Sequence, residues 1–247
     1  MGILDNIIYV PCHVKNHGAE RKASDIKYLV YHYTGNDGDS DTNNAKYYQN
    51  TVVQASAHYF VDDDSITQSV DDLTIAWAVG GKKWSDCPQT GGGKLYGICT
   101  NANSISIEMC DTRRDGTLMA TEQTLANSIE LGKMLMAKYA IPLDRVVRHF
   151  DVTGKYCPAY FMDEAKWAAF KARLVEPEKT PKTPANKPTE KRYQTIEEIK
   201  KNAAWAEPTI RKLIEHGALN GTGTGLDLSF DMLRLFVIHD RMGVYDK

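Results

Sequence analysis

The chain reads as an α/β protein of the α+β type, a mixed central β-sheet flanked by helices, followed by a proline-rich linker and a small all-helical C-terminal module. Three observations predict this. Over the first 174 residues, β-branched and aromatic runs alternate with stretches of helical apolar spacing, the pattern of strands interleaved with helices. Residues 175–192, "VEPEKTPKTPANKPTEKR", hold four prolines among Lys, Thr and Glu and almost no apolar side chain. Such a segment cannot bury a core and reads as an extended spacer. Residues 193–247 then show helical periodicity alone. The expected division is therefore a first domain over 1–174, a linker over 175–192 and a helical module over 193–247.

Along the first domain, "DIKYLVYHYTG" is an apolar, β-branched run stopped by Thr34-Gly35, a buried strand with His32 near its end. "ASAHYFVDDDSITQSV" alternates on both sides of Asp62-Asp63-Asp64 and reads as a hairpin. "NSISIEMC" is another strand; side chains repeat every two residues, so Ser104, Ser106 and Glu108 share a face. "TEQTLANSIELGKMLMAKYA" spaces Leu125, Ile129, Leu135 and Tyr139 for a helix with Thr121 as N-cap, and "MDEAKWAAFKARL" does the same with Asp163 as cap and Trp167, Phe170 and Leu174 inward. Beyond the spacer, three short helices are expected. Their apolar faces are Ile196 and Ile199, then Ile210, Leu213 and Ile214, then Leu233, Phe236 and Val237, with Gly217 as a stop. Trp205 reads as core in preference to a sugar-stacking ring. A module this small calls for support from a partner surface or from self-association.

Composition removes several classes of function. Lys and Arg number 30 against 32 Asp and Glu, a net charge of -2, with none of the basic excess of a nucleic-acid binder. No run approaches the roughly 18 to 20 apolar residues of a membrane span, and "MGILDNIIYV" has neither the basic flank nor the apolar core of a secretory signal. The expectation is a chain without membrane insertion, kept in a cytoplasm until something releases it. Five cysteines at irregular spacing fit reduced thiols better than a disulfide framework.

The chemistry concentrates in "RHFDVTGKYCP", residues 148–158. On a continuous helix, the eight residues from His149 to Cys157 would separate their backbones by roughly 12 Å, whereas donors around one zinc lie only about 3 to 4 Å apart. A turn must bring them together, and Gly154 and Pro158 supply it. His32, at a strand end, is the best third donor. Two histidines and a cysteine make a three-ligand zinc site with one position open for water, which lowers that water's pKa towards neutrality. Glu108 is placed to take the water's proton and Lys155 to neutralise an oxyanion. Such an assembly suits amide hydrolysis.

Other groups read more plainly. His58 is a packing residue, since a fourth protein ligand would close the catalytic position. His13 and His17 lie in the punctuated "PCHVKNHG", a surface loop. Asp62 to Asp64 form a hairpin tip in preference to a calcium loop. "GTGTG", residues 221–225, lacks the preceding strand of a dinucleotide site and reads as a turn. Cys87, Cys99 and Cys110 read as packed thiols.

"YHYTG", "SAHYFV", "SISIEMC" and "RHFDVTGKYCP", in that order between residues 28 and 161, resemble the zinc-dependent N-acetylmuramoyl-L-alanine amidases of the phage-endolysin and peptidoglycan-recognition superfamily. The resemblance implies zinc held by His32, His149 and Cys157, with Lys155 and Glu108 as catalytic residues. Some members place a tyrosine before the "H" of "AHYF"; Ala57 stands there, which favours Glu108 as base. The implied substrate is the bond between the lactyl group of N-acetylmuramic acid and the stem-peptide L-alanine. "TIAWAVGG" resembles a groove-lining segment, so Trp77 is a candidate substrate contact. Two-part lysins often carry a wall-binding module after the catalytic domain, and "IRKLIEHGALNG" with "DMLRLFVIHDR" faintly resembles surface-layer-homology helices. Cell-wall targeting, on an unidentified wall ligand, is the implied role of the module. A phage or prophage endolysin, held in the host cytoplasm until lysis, fits this picture. A non-catalytic recognition module and a Cys/His peptidase using Cys157 or Cys110 are the rival readings.

Overall fold

The strand expected around His32 lies one position from the edge of a six-stranded sheet, where it pairs with parallel neighbours on both sides. The computed structural model describes residues 2–176 and 191–246. Chain contacts divide it into two units, Met1–Pro177 and Glu178–Lys247. In the first, the strands are β1 (Ile8–Tyr9), β2 (His17–Glu20), β3 (Tyr28–Tyr33), β4 (Tyr59–Val61), β5 (Ile66–Gln68), β6 (Thr74–Ala76), β7 (Ser104–Met109) and β8 (Val146–Arg148). The helices are α1 (Asp41–Asn50), α2 (Cys87–Thr90), α3 (Glu122–Tyr139), α4 (His149–Thr153) and α5 (Glu164–Val175). The main sheet runs β1-β5-β4-β7-β3-β8, antiparallel only between β4 and β5, while β2 and β6 form a separate antiparallel pair. A mixed sheet flanked by helices is thus the observed fold.

Burial on both faces explains the continuous apolar reading of β3, while β7 alternates as expected. Leu29 and Tyr31 of β3, with Ile105, Ile107 and Met109 of β7, point into the main core against Leu125, Ile129 and Leu135 of α3 and Trp167, Phe170 and Leu174 of α5. On the opposite face Val30 packs with Val79, Cys99, Val147 and Val152. That alternation leaves His32 and Glu108 on the face away from α3 and α5. The expected caps are in place: Thr121 accepts from Thr124 N–H, and Asp163 from Ala165 and Lys166 N–H. The Asp62–Asp64 hairpin joins β4 to β5, with Asp62 accepting from the Asp64 and Ser65 amides. All five cysteines are free and buried.

Close packing of α3 on β3 depends on Gly132. A Cβ there would stand 2.1 Å from the Tyr31 hydroxyl oxygen and 2.8 Å from Leu174 Cδ2, while that hydroxyl donates to the Ser128 carbonyl at 3.0 Å. Gly132→Ala is therefore expected to destabilise the first unit by about 1–3 kcal/mol despite alanine's better helix propensity. A lowered urea midpoint would show it; an unchanged or raised midpoint would contradict it.

Helix α1 carries no apolar stripe and was not foreseen. It is anchored by polar contacts: Ser40 caps it, the buried Asp41 carboxylate accepts from the Thr67 hydroxyl at 2.6 Å, and the Asp41 amide donates to Asp62 at 3.1 Å. His17, expected in a loop, opens β2 instead, whereas His13 accepts from the Lys15 amide at the start of a 3-10 turn.

In the second unit, α6 (Ile196–Asn202), α7 (Glu207–Glu215) and α8 (Phe230–Arg241) bury Ile199, Ile210, Leu213, Leu233 and Val237 in one core. Gly217, with φ +68°, follows α7 where a stop was expected. The expectation for Trp205 is corrected. It falls in the turn between α6 and α7, where helical spacing no longer aims a side chain, and it is 43% exposed while Ala203 and Ala206 fill the core. Of the expected linker, residues 177–190 lie outside the described residues. At its two ends, Val175 closes α5 and Arg192 is ion-paired with Asp227 at 2.7 Å. Among the described residues, no helix is long and apolar enough to cross a membrane.

Candidate metal and catalytic site

Three parallel strands set the site at their C-terminal ends. In the β3–β7 ladder His32 is the direct partner of Glu108, and in the β3–β8 ladder Tyr31 is the partner of Arg148. The residue after Arg148 is His149, so it arrives beside His32. One helical turn follows, α4, and Gly154 ends it in the left-handed region at φ +83°. A Cβ on Gly154 would lie 2.0 Å from Cys87 Sγ, so glycine is required sterically as well as conformationally. The chain then doubles back until the Phe150 amide donates to the Cys157 carbonyl at 3.0 Å. A turn was expected here; the helical turn inside it was not.

This path brings one donor atom from each of His32, His149 and Cys157 within 4.8 Å of the others, all three residues buried. Cys157 Sγ lies 3.9 Å from His32 Nδ1, and the two imidazole centroids are 4.7 Å apart. A Glu108 carboxylate oxygen is 3.8 Å from His32 Nδ1. Arg148 braces the site, donating to Asp151, to Glu164 and to the Phe161 carbonyl. No sequence pattern had marked that arginine, though it directly precedes His149.

Electrostatics fit a cation. His32 Nε2, His149 Nδ1 and Glu108 Oε2 are buried without a hydrogen-bond partner, an expensive arrangement unless something else satisfies them. Burial, with His149 and Lys155 nearby, holds His32 well below the usual imidazole range, and burial with Lys155 pushes His149 down to about 4. Both rings are therefore neutral and able to donate a lone pair. Burial and Glu108 push the Cys157 thiol up to about 12, against the pull of the Tyr33 amide and Lys155. A bound dication would reverse that, since a coordinating thiol is deprotonated. Two neutral imidazoles and a thiolate are a donor set that suits zinc.

Glu108 is pushed up to about 7 by burial, with Lys155 pulling the other way. Lys155 is exposed on the loop carrying Cys157, close enough for its charge to act on His32, His149 and Glu108. His58 is buried behind the site, its Nδ1 accepting from the Ser106 amide at 3.1 Å. Burial and Arg21 push it down to about 3, as suits a packing residue. Cys110 packs with Ala45, Ala57 and Phe60. Trp77 lines a separate hollow of about 500 Å³ with Gln54, Ala55, Ala78, Gly80, Gly81 and Asn101; His32, Glu108, His149, Lys155 and Cys157 are not in that lining. A second acidic group, Asp37, Asp111 and Asp115, has Arg113 paired with Asp111 and Asp115 at 3.5 and 3.6 Å.

The fold and site together define a mixed α/β domain whose parallel strand ends carry a metal-capable His-His-Cys centre beside a partly buried carboxylate. The N-acetylmuramoyl-L-alanine amidase family, Amidase_2, matches residues 22–160, more than half of the chain, and the chain belongs to that family. A probable N-acetylmuramoyl-L-alanine amidase of Bacillus licheniformis is 32% identical over 160 residues, 62% of this chain and 42% of the relative. The chain thus spans less than half the length of that protein. Among solved structures, PlyL superposes with a TM-score of 0.55 at 26% identity, over 69% of this chain and 98% of PlyL. The catalytic domain of XlyA does so with a TM-score of 0.53 at 31% identity, over 68% and 99%. The matched range contains His32, Glu108, His149, Lys155 and Cys157 and ends before the second unit.

Proposed function

We propose that the first unit is a zinc-dependent peptidoglycan amidase, cleaving the amide between N-acetylmuramic acid and the L-alanine of the stem peptide. The observation that carries this reading is the meeting of His32, His149 and Cys157 donors within 4.8 Å, in a chain of the amidase family. Zinc at these donors supplies Lewis acidity, lowering the pKa of water and polarising a carbonyl. The carboxylate of Glu108, whose pKa burial raises to about 7, accepts a proton from the attacking water and returns it to the departing alanine nitrogen. Lys155 offsets the negative charge that develops on the carbonyl oxygen. The C–N bond breaks, leaving a lactyl carboxylate and a free amino group. Trp77 is a candidate contact for the substrate beyond the reacting amide.

The cysteine-peptidase rival asks for a depressed thiol pKa. Burial pushes Cys157 up to about 12 and Cys110 well above its usual value, so neither thiol is activated as a nucleophile. The second unit is proposed to hold the enzyme on the wall, with self-association as a further way to support so small a core.

Digestion of bacterial peptidoglycan followed by mass spectrometry tests both parts. The full chain is expected to release peptides with a new L-alanine amino terminus. A chain ending after Glu176 should cleave soluble muropeptides at a similar rate but bind intact walls at least about tenfold more weakly, the loss of one linked binding module. Products cut at any other bond would overturn the amidase reading, and unchanged wall binding would overturn the role given to the second unit.

A further inference from the structure

Two large aromatic side chains stand exposed beside the metal-capable loop and have no part in the reaction as derived. Trp84 is 45% exposed and Tyr156 is 50% exposed. Tyr156 lies between Lys155 and Cys157 in sequence. Trp84 reaches the same place from another segment: its amide donates to the Thr153 carbonyl at 2.8 Å, and a Cβ on Gly154 would stand 3.4 Å from Trp84 Cβ. The segment is bolted down further along, where the Gly93 and Leu95 amides donate to the Phe150 and Asp151 carbonyls, each at 2.9 Å. The Tyr156 ring is held near the buried Phe150 ring, with centroids 6.0 Å apart.

Isolated exposed aromatics are ordinary. Two of them, on backbone segments tied to each other and to the cysteine donor's loop, make a prepositioned rim that loses little side-chain freedom on binding. The Trp84, Gly93 and Leu95 amides are all turned inward onto α4 and its exit, so this rim does not offer those amides to an extended peptide as a strand edge would. What stays exposed there is aromatic side chain, and an aromatic ring suits the C–H face of a pyranose. We infer that Trp84 and Tyr156 form the sugar-side wall of the substrate groove, packing against the N-acetylated sugar that bears the scissile amide. The identity of the sugar rests on the amidase reading.

The test compares a disaccharide-peptide with the matching D-lactyl-peptide, which keeps the scissile amide and lacks the sugar. Trp84→Ala is expected to raise KM for the disaccharide-peptide about five- to tenfold, the effect of losing one aromatic contact, with kcat and the lactyl-peptide KM unchanged. Trp84→Phe should restore most of the difference, and Tyr156→Ala should raise the disaccharide-peptide KM in the same way as Trp84→Ala. Equal effects on both substrates, or on neither, would overturn the sugar wall. Calorimetric Kd values for the two ligands, measured in a Glu108→Gln background with and without Trp84→Ala, separate this inference from the amidase reading. Sugar-dependent binding that needs Trp84, without turnover in the unmodified enzyme, would sink the activity and leave the wall standing. Turnover with no sugar preference in binding would do the reverse.

Discussion

His32→Ala is expected to reduce bound zinc from about one per chain to near zero and to lower kcat/KM by at least about 10³-fold, the scale of losing metal-assisted activation of water. The site offers three donors, and removing one leaves a histidine and a cysteine that cannot define a stable catalytic centre. His32 is also the member that touches the others, with Cys157 Sγ at 3.9 Å, the His149 ring at 4.7 Å and Glu108 at 3.8 Å. Chelation of the unmodified chain should reproduce the loss, and added zinc should rescue that chain but not His32→Ala. Metal loading carries a pH signature with a definite sign. Without metal the Cys157 thiol is held up at about 12 and His149 is neutral down to about 4. Zinc must therefore displace at least one proton, from the thiol, across the range from about pH 5 to about pH 8, and its affinity should rise at least about tenfold per pH unit there. Inductively coupled plasma mass spectrometry and competition with a chromogenic chelator read both quantities. Full zinc-dependent turnover in His32→Ala, or an affinity flat with pH, would remove this assignment of the donors.

What could be read in advance follows the range of the interactions involved. β3 was legible because both its faces are buried, so "YLVYHY" is apolar or aromatic nearly throughout, and β7 because "SISIEM" alternates Ile105, Ile107 and Met109 with Ser104, Ser106 and Glu108. The helices α3 and α5 were legible from their inward residues and their caps. β8 was not, since three residues are too few to show a period, and only pairing with Leu29, Val30 and Tyr31 makes them a strand. α1 was hidden for a different reason: it packs only Ala45 and Tyr48 on the core, and its other anchors are the hydrogen bonds of Asp41 to Thr67 and Asp62, which no hydrophobic pattern reports. In the site, the approach of His149 and Cys157 followed from spacing and the need for a turn. The one-to-one register of His32 with Glu108 did not, because it is a property of two strands about 75 residues apart in the chain, paired in parallel. Arg148 and the Tyr33 amide, which steady the loop and the thiol, have no local signature. Trp205 was misread because a large aromatic in a turn has no periodic pattern to say whether it faces inward, and it stands 43% exposed.

Glu108→Gln is the sharpest test of how the proton moves. Glutamine keeps the length and shape of the side chain and cannot accept a proton at catalytic pH, so zinc content and KM should stay near those of the unmodified chain while kcat falls by about 10²- to 10⁴-fold, the usual worth of a positioned general base. The buried surroundings make the exchange tolerable for the fold: Glu108 Oε2 has no hydrogen-bond partner to lose. They also set the acid side of the pH profile. Burial raises the carboxyl to about 7 against the pull of Lys155, and a zinc ion beside it can only draw that value down. Activity should therefore fall as pH drops through a midpoint at or below about 7, because protonated Glu108 no longer accepts the water's proton. In Glu108→Gln that limb should vanish, leaving a low rate governed by the remaining groups. Lys155→Met makes the contrasting case: with that charge gone, one of the pulls that oppose burial at Glu108 is lost and the same limb should move to higher pH, while kcat falls through the loss of charge beside the oxyanion. Stopped assays of released amino groups from about pH 5 to pH 9, with metal content measured on the same samples, distinguish these outcomes. Wild-type turnover in Glu108→Gln, or an acid limb that persists unchanged in it, would transfer the role of base to another group.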